Sequence, residues 1–263
     1  MMSGEVSLFF NERILSRSWF YEFPLPDGTL TQSYLPETVR AVHTGREKML
    51  FEFLDPIFGR TWRDVTAIDL GCHEGYFAFR LAQKGCSRVI GVDAQPKHLE
   101  HAEWIRQIHG LNNLSFVHGD VQTQELFKAG PFDIVLLFGI LYHVPNIVGT
   151  LRRARAATRT VCLIETQIGP ELHGDMDWGA SHWKKEIRGC ITLVEEAGDV
   201  DEHNLEAGLS GVSMVPSLKA LFFLLGLVGF ERVELLHAGP DSYEQHRLGK
   251  RVIVAAFPQK SIQ

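Results

Sequence analysis

Three acids stand at the ends of three successive apolar runs, and together they outline one binding cleft. Asp69 closes the run from Val65 to Leu70, Asp93 closes RVIGVD from Arg88, and Asp120 follows Leu114 to His118 across Gly119. A carboxylate at fixed reach accepts two neighbouring hydroxyls in a bidentate contact, which suits Asp93. Asp120 with the Val121 amide can meet an amino group and an adjacent ring nitrogen. Asp69, or the Gly71 backbone, can hold an ammonium group. A fourth run, FDIVLLFG, ends on Phe138 and Gly139, which leave room beside a ligand. Tyr142 and His143 follow directly. Histidine titrates near neutrality, so His143 is the candidate general base, with Tyr142 beside it to bind. Any one of these acids alone reads equally as a helix cap or a solvated loop residue, and His143 equally as a cap of the next helix. Three acids at consecutive strand ends are the signal.

The elements that hold these residues are legible around Ala67 to Tyr76, AIDLGCHEGY. An apolar run of strand type leads into a glycine turn, and Tyr76 to Gln83 continues at helical spacing to a C-cap at Lys84-Gly85. The turn reads D-x-G-x-x-x-G, with Asp69, Gly71 and Gly75. A dinucleotide fingerprint would read G-x-G-x-x-G and cradle a pyrophosphate at the helix N-terminus. His73 replaces a glycine common in such turns, and reads either as an exposed turn residue or as part of the site wall.

Strands and helices then alternate. The spacing predicts helices at Pro96 to His109, Asn146 to Ala157 and Ser217 to Leu227, and a fifth strand at Thr160 to Glu165. Glu231 to Leu236 and Arg251 to Phe257 form a closing pair. This order predicts a mostly parallel, seven-stranded, doubly wound α/β sheet, in which ligands lie beyond the carboxyl ends of the strands. Residues 1–60 form an N-terminal cap, with a short helix over Val6 to Ile14, an aromatic stretch from Ser18 to Leu35, and a helix over Thr44 to Leu54. The main domain is 61–263, interrupted by a polar, glycine-rich insertion at 167–213 that reads as a lid. Tyr34 in the cap and Trp178, His182 and Trp183 in the insertion are candidate substrate contacts.

Composition narrows the class. The chain has 263 residues, with 26 Lys and Arg against 32 Asp and Glu, a net charge of −6. That balance argues against a broad nucleic-acid footprint. The basic groups available to one are Arg152, Arg153, Arg155 and Arg159 on one helix, with Lys184 and Lys185 in the insertion. Cys72, Cys86, Cys162 and Cys190 lack metal or disulfide spacing and read as reduced thiols. The N-terminus has no signal-type pattern, and LKALFFLLGLVGF at Leu218 to Phe230 is too short to span a bilayer, so a soluble cytoplasmic protein is expected. His98 and His101, or Asp175 and Asp177, do not combine into a metal set, and no metal is expected.

The motif order resembles class I S-adenosylmethionine (SAM) methyltransferases over Thr61 to Thr166, which implies a Rossmann-like fold with SAM as cofactor. FGILYHVPN, LIET, VPSLKALFFLLGLVGF and KRVIVAAFP further resemble the bacterial tRNA wobble-uridine methyltransferase/carboxymethyltransferase group. Of the residues that hold a carboxylated cofactor there, Tyr142 matches, Arg247 falls near a basic position, and residues 1–60 show no counterpart of the basic, tryptophan-containing stretch. The resemblance implies a cofactor site of Asp69, Gly71, Cys72, His73, Gly75, Tyr76, Phe77, Asp93, Ala94, Asp120, Val121, Phe138 and Gly139. The expected reaction is methyl transfer to an oxygen or nitrogen of a small-molecule acceptor. A tRNA wobble-uridine enzyme and a non-catalytic SAM-fold module are the alternatives.

Overall fold

The computed structural model describes residues 14–123, 130–196, 208 and 210–258. The central sheet has seven strands: β1 (Thr66–Leu70), β2 (Arg88–Asp93), β3 (Leu114–His118), β4 (Phe132–Phe138), β5 (Thr158–Gln167), β10 (Phe230–Leu236) and β11 (Arg251–Pro258). Their order is β10-β11-β5-β4-β1-β2-β3. β11 alone runs against its neighbours, pairing antiparallel with both β5 and β10. The closing pair and the doubly wound sheet are therefore as the sequence predicts. Strand order reverses between β1 and β4, and a crevice opens at such a point.

Helices cover both faces: α1 (Glu37–Phe58), α2 (Tyr76–Lys84), α3 (Pro96–Ile108), α4 (Ile147–Ala157), α5 (Leu218–Leu227) and the short α6 (Glu244–Arg247). Their ends obey local chemistry. Gly85 caps α2 in the left-handed region, Asn146 and Ser217 accept backbone N–H groups at the starts of α4 and α5, and Pro96 opens α3. β1, β4 and β5 are buried on both faces, so their sequences are nearly continuous apolar runs.

The N-terminal segment packs into the main core. Trp19 and Phe23 are fully buried in one core with Leu50, Leu54, Phe79 and Ile134. Its predicted first helix falls mostly outside the described residues, and the helix predicted over Thr44 to Leu54 is the longer α1.

The insertion folds as two hairpins. β6 (Asp175–Ala180) pairs with β7 (Trp183–Glu186), and β8 (Ile191–Glu195) pairs with β9 (Val212–Pro216). Part of it, 197–207 and 209, lies outside the described residues. Cys72, Cys86 and Cys162 are buried and free, and Cys190 is half-buried. Among the described residues no helix is long and apolar enough to cross a membrane.

Candidate active site

A cavity of about 570 Å³ opens at the carboxyl ends of β1, β2 and β4, a volume ordinary for a small-ligand site. Ten of the predicted site residues line it: Gly71, His73, Asp93, Ala94, Asp120, Val121, Phe138, Gly139, Tyr142 and His143.

The turn after β1 is drawn tight by its backbone. Gly71 and Cys72 both donate N–H to Val92 O, at 2.8 and 2.9 Å. Gly71 has φ +73°, and a Cβ there would meet Ile140 Cγ1 at 2.8 Å, so only glycine fits. His73 takes φ +53°, a left-handed conformation that glycine adopts without steric cost. It is not an exposed turn residue: its ring lies 3.6 Å from that of His98 and 4.8 Å from that of Phe20. Burial holds its pKa well below the ordinary histidine value, so it is neutral.

Asp93 is the anchor of this half. Its Oδ2 accepts the His73 N–H at 2.8 Å, and its Oδ1 accepts the Gln95 N–H at 2.9 Å with His98 Nδ1 at 3.2 Å. Asp120 forms a local turn, accepting the Gln122 N–H at 2.8 Å beside Val121 in the wall.

Five predicted cofactor contacts do not line the cavity. Asp69 is 1% exposed and turns its carboxylate to the start of α2, where Oδ2 accepts the Ala78 N–H at 3.2 Å. Burial raises its pKa to about 7. It fastens helix to strand and does not face the ligand space. The Cys72 side chain packs beneath the turn, where a Cβ on Gly91 would meet its Sγ at 2.9 Å. Gly75 caps α2 against the Phe116 ring. Tyr76 stacks on Tyr21 with its hydroxyl on Glu47, and Phe77 packs edge-on to Phe138 in the core.

The predicted substrate contacts are also displaced. Trp178 and Trp183 are 49% and 57% exposed on the β6–β7 hairpin, where Lys185 Nζ sits 4.6 Å from the Trp178 ring centroid. His182 is exposed at the same tip, and Tyr34 is exposed beside Phe20. None of the four lines the cavity. A hairpin whose every residue but one is exposed has no core to hold its aromatics.

Beside Tyr142, the cavity wall also includes residues that the sequence did not single out. Glu165, at the end of β5, is fully buried and accepts Arg251 Nη1 at 2.8 and 3.0 Å. Arg46 Nη2 lies 3.0 Å from its other oxygen, and His246 Nε2 lies 3.2 Å away. Burial alone would raise the Glu165 pKa, but Arg46 and then Arg251 hold it far below the carboxylate range. Arg251 Nη2 donates to the Tyr142 hydroxyl at 2.7 Å. Arg46, Tyr142 and Arg251 all face the cavity, so two guanidiniums share one carboxylate there. Because β11 is reversed, its first residue, Arg251, reaches the ligand edge. Glu165 was findable by the strand-end logic that picked Asp93. Arg46 and Arg251 carried no local signal.

His143 Nδ1 lies 2.6 Å from Glu196 Oε1. Glu196 follows β8, is held by the Gly208 N–H at 2.7 Å and by the Ser213 hydroxyl, and belongs to the insertion. Burial lowers the His143 pKa and Glu196 partly offsets it, leaving a neutral imidazole at pH 7. A histidine with a carboxylate this close to one nitrogen can take a proton on the other. Thus Gln167, Gly208 and Ser210 bring the insertion to the cavity, not the tryptophans. Among the described residues no three His, Cys, Asp or Glu groups converge as a metal site.

Comparison with known proteins agrees with this geometry. A family model described as "Methyltransferase domain" matches residues 63–203. Among curated proteins, the tRNA U34 carboxymethyltransferase of Aliarcobacter butzleri is 28% identical over 193 residues, covering 70% of this chain and 53% of that protein. The enzyme of the same name from Trichodesmium erythraeum is 27% identical, covering 68% and 48%. The chain thus spans about half the length of these relatives. The solved N-terminal domain of EvdMO1, in the presence of SAH and D-fucose, superposes with TM-score 0.68 at 22% identity over 98% of both chains. Magnesium protoporphyrin IX methyltransferase from Synechocystis, with bound SAM, gives TM-score 0.55 at 13% identity over 86% of both. These two likenesses concern the fold.

Proposed function

The chain belongs to the methyltransferase domain family, as a class I SAM-dependent enzyme, and from that premise we propose that it methylates a hydroxyl oxygen of a small polar acceptor. The cofactor residues fit SAM: the Gly71 turn and the Asp93 carboxylate both line the cavity, and Asp93 would take the ribose hydroxyls. When bound, SAM supplies a methyl already activated on a sulfonium.

The chain's own work is alignment, exclusion of water and removal of a proton. The His143–Glu196 contact of 2.6 Å carries the choice of oxygen. A hydroxyl must lose its proton as it attacks. His143 Nε2 takes that proton, while the Glu196 carboxylate beside Nδ1 stabilises the charge that forms. Arg46, Tyr142, Gln167 and Arg251 supply a polar wall for an acceptor with several hydrogen-bonding groups. Transfer from labelled SAM to a panel of small hydroxylated acceptors tests this, with His143→Ala as control. Label passing only to nitrogen or carbon acceptors, or equal transfer by His143→Ala, overturns it.

The curated relatives favour a second reading, tRNA wobble-uridine carboxymethyl transfer. Its supporting observation is the Arg251–Tyr142 hydrogen bond beside Arg46, a wall of net positive charge suited to a carboxylate on the transferred group. Against tRNA stands the net charge of −6. Two of the four arginines are also engaged locally, Arg155 on α4 with Gly229 O and Arg159, which lies on β5 and not on the helix, with Asp133. Phosphate contacts make RNA binding fall steeply with salt. A tight, salt-sensitive tRNA complex in a gel-shift titration would decide for this second reading.

A further inference from the structure

We propose that Glu74 is a positioning residue that couples the cofactor turn to the Phe20–Tyr21 part of the cavity wall, so that bound cofactor and a docked N-terminal segment stabilise each other. This rests on the cofactor reading above. Glu74 belongs to the turn between β1 and α2, yet its side chain leaves the turn and is 3% exposed. Its Oε2 accepts the backbone N–H groups of Phe20 at 3.0 Å and Tyr21 at 3.2 Å, and its Oε1 lies 3.1 Å from His101 Nδ1. The side chains of those two residues, Phe20 and Tyr21, form part of the cavity wall.

The neighbouring turn residue works in the same direction. His73 gives its N–H to Asp93 and packs its ring against Phe20 and Tyr21, with centroids at 4.8 and 5.8 Å. One continuous chain of contacts therefore runs from Asp93 through His73 and Glu74 to Phe20 and Tyr21. Separating segment from turn would leave one oxygen of a buried carboxylate and two amides without partners, with only His101 still beside Glu74. A ligand that restrains the turn opposes that separation. By reciprocity, a docked segment raises affinity for the same ligand by the same factor.

The test uses the full chain and S-adenosylhomocysteine, which binds without turnover. Amide hydrogen exchange at Phe20 and Tyr21 should slow roughly fivefold when it is added to wild type, the low end of ordinary coupling. Glu74→Ala should bind it roughly fivefold more weakly and lose that slowing. Glu74→Gln, whose side-chain oxygen can accept the same two N–H groups, should keep both. A purely structural Glu74 leaves exchange at 20–21 indifferent to ligand in wild type, and that result overturns the proposal, as does a Glu74→Ala protein that behaves as wild type. Should Glu74→Ala not fold, wild type and Glu74→Gln still decide. Failure of wild type to bind S-adenosylhomocysteine at all sinks the cofactor reading instead.

Discussion

Arg251 donates to the Tyr142 hydroxyl at 2.7 Å while the same guanidinium closes on Glu165, so one buried cation serves both the cavity wall and the core. Glu165→Gln would leave Arg46 and Arg251 facing each other without their shared carboxylate. Breaking a buried ion pair in this way costs about 3–5 kcal/mol. Urea unfolding should show that loss, with an unchanged slope. A midpoint equal to wild type would mean the cluster is open to water.

Asp93→Ala should weaken S-adenosylhomocysteine binding by about 1.5–3 kcal/mol, the scale of a charge-assisted hydrogen bond lost in a cleft. The change also unties the His73 amide from its partner. Calorimetry reads the result directly, and unchanged affinity would contradict the assignment of this end to the ribose.

His143→Ala should slow transfer to a hydroxyl acceptor by roughly 10²–10⁴-fold, the usual worth of a positioned base. Since burial lowers the His143 pKa, wild-type turnover should be level from neutrality upward and decline only on the acid side. Glu196 partly raises that pKa, so Glu196→Gln should move the acid limb to lower pH while reducing the rate. An acid limb left in place would separate Glu196 from the base.

Stability should fall as the solution is acidified below about pH 6.5. His43, held near pKa 3 by burial and Arg46, and His73, held well below its ordinary value, stay neutral in the fold and gain protons only on unfolding. Their contribution is complete above the unfolded histidine pKa and is lost as pH drops. Asp69 acts oppositely, because its raised pKa of about 7 makes the fold bind a proton that the unfolded chain releases above pH ~4. His143, whose pKa burial also lowers, joins these two, so the protons gained on unfolding outnumber the one Asp69 releases, and stability falls from pH ~6.5 towards ~4. Melting curves across that range should show it, and a flat profile would mean these imidazoles are hydrated.

Trp183→Ala should change neither turnover nor melting temperature appreciably. Its ring is more than half exposed and does not line the cavity. Slowed turnover with an unchanged melting point would restore the tryptophan hairpin as a lid.

The fold was readable because each strand of the parallel sheet is a short apolar run with a punctuated end. Gly71, Asp93, Asp120 and Phe138 could therefore be set at one edge without coordinates. Asp69 shows the limit of that logic. A strand-end acid beside a helix start can satisfy backbone N–H groups instead of a ligand, and only geometry tells which. Arg46, Glu196 and Arg251 were illegible for a different reason. Each acts through a partner distant in the chain, and an arginine in a helix or at a strand start looks solvated until the fold buries it. In the insertion, the aromatic residues that stood out in a polar segment are not the ones that line the cavity. Glu196 reaches the cavity from the neighbouring hairpin.

The reversed strand β11 also governs when the molecule can become complete. Glu165 is synthesised 86 residues ahead of Arg251. Until the later strand slides in between β5 and β10, the growing sheet carries a carboxylate in its interior with only part of its counter-charge. A nascent chain halted before that strand would hold this acid by taking up a proton or by keeping the edge of β5 wet. The final strand thus converts a provisional sheet into a closed one, and an activity assay on stalled chains would register nothing until it arrives.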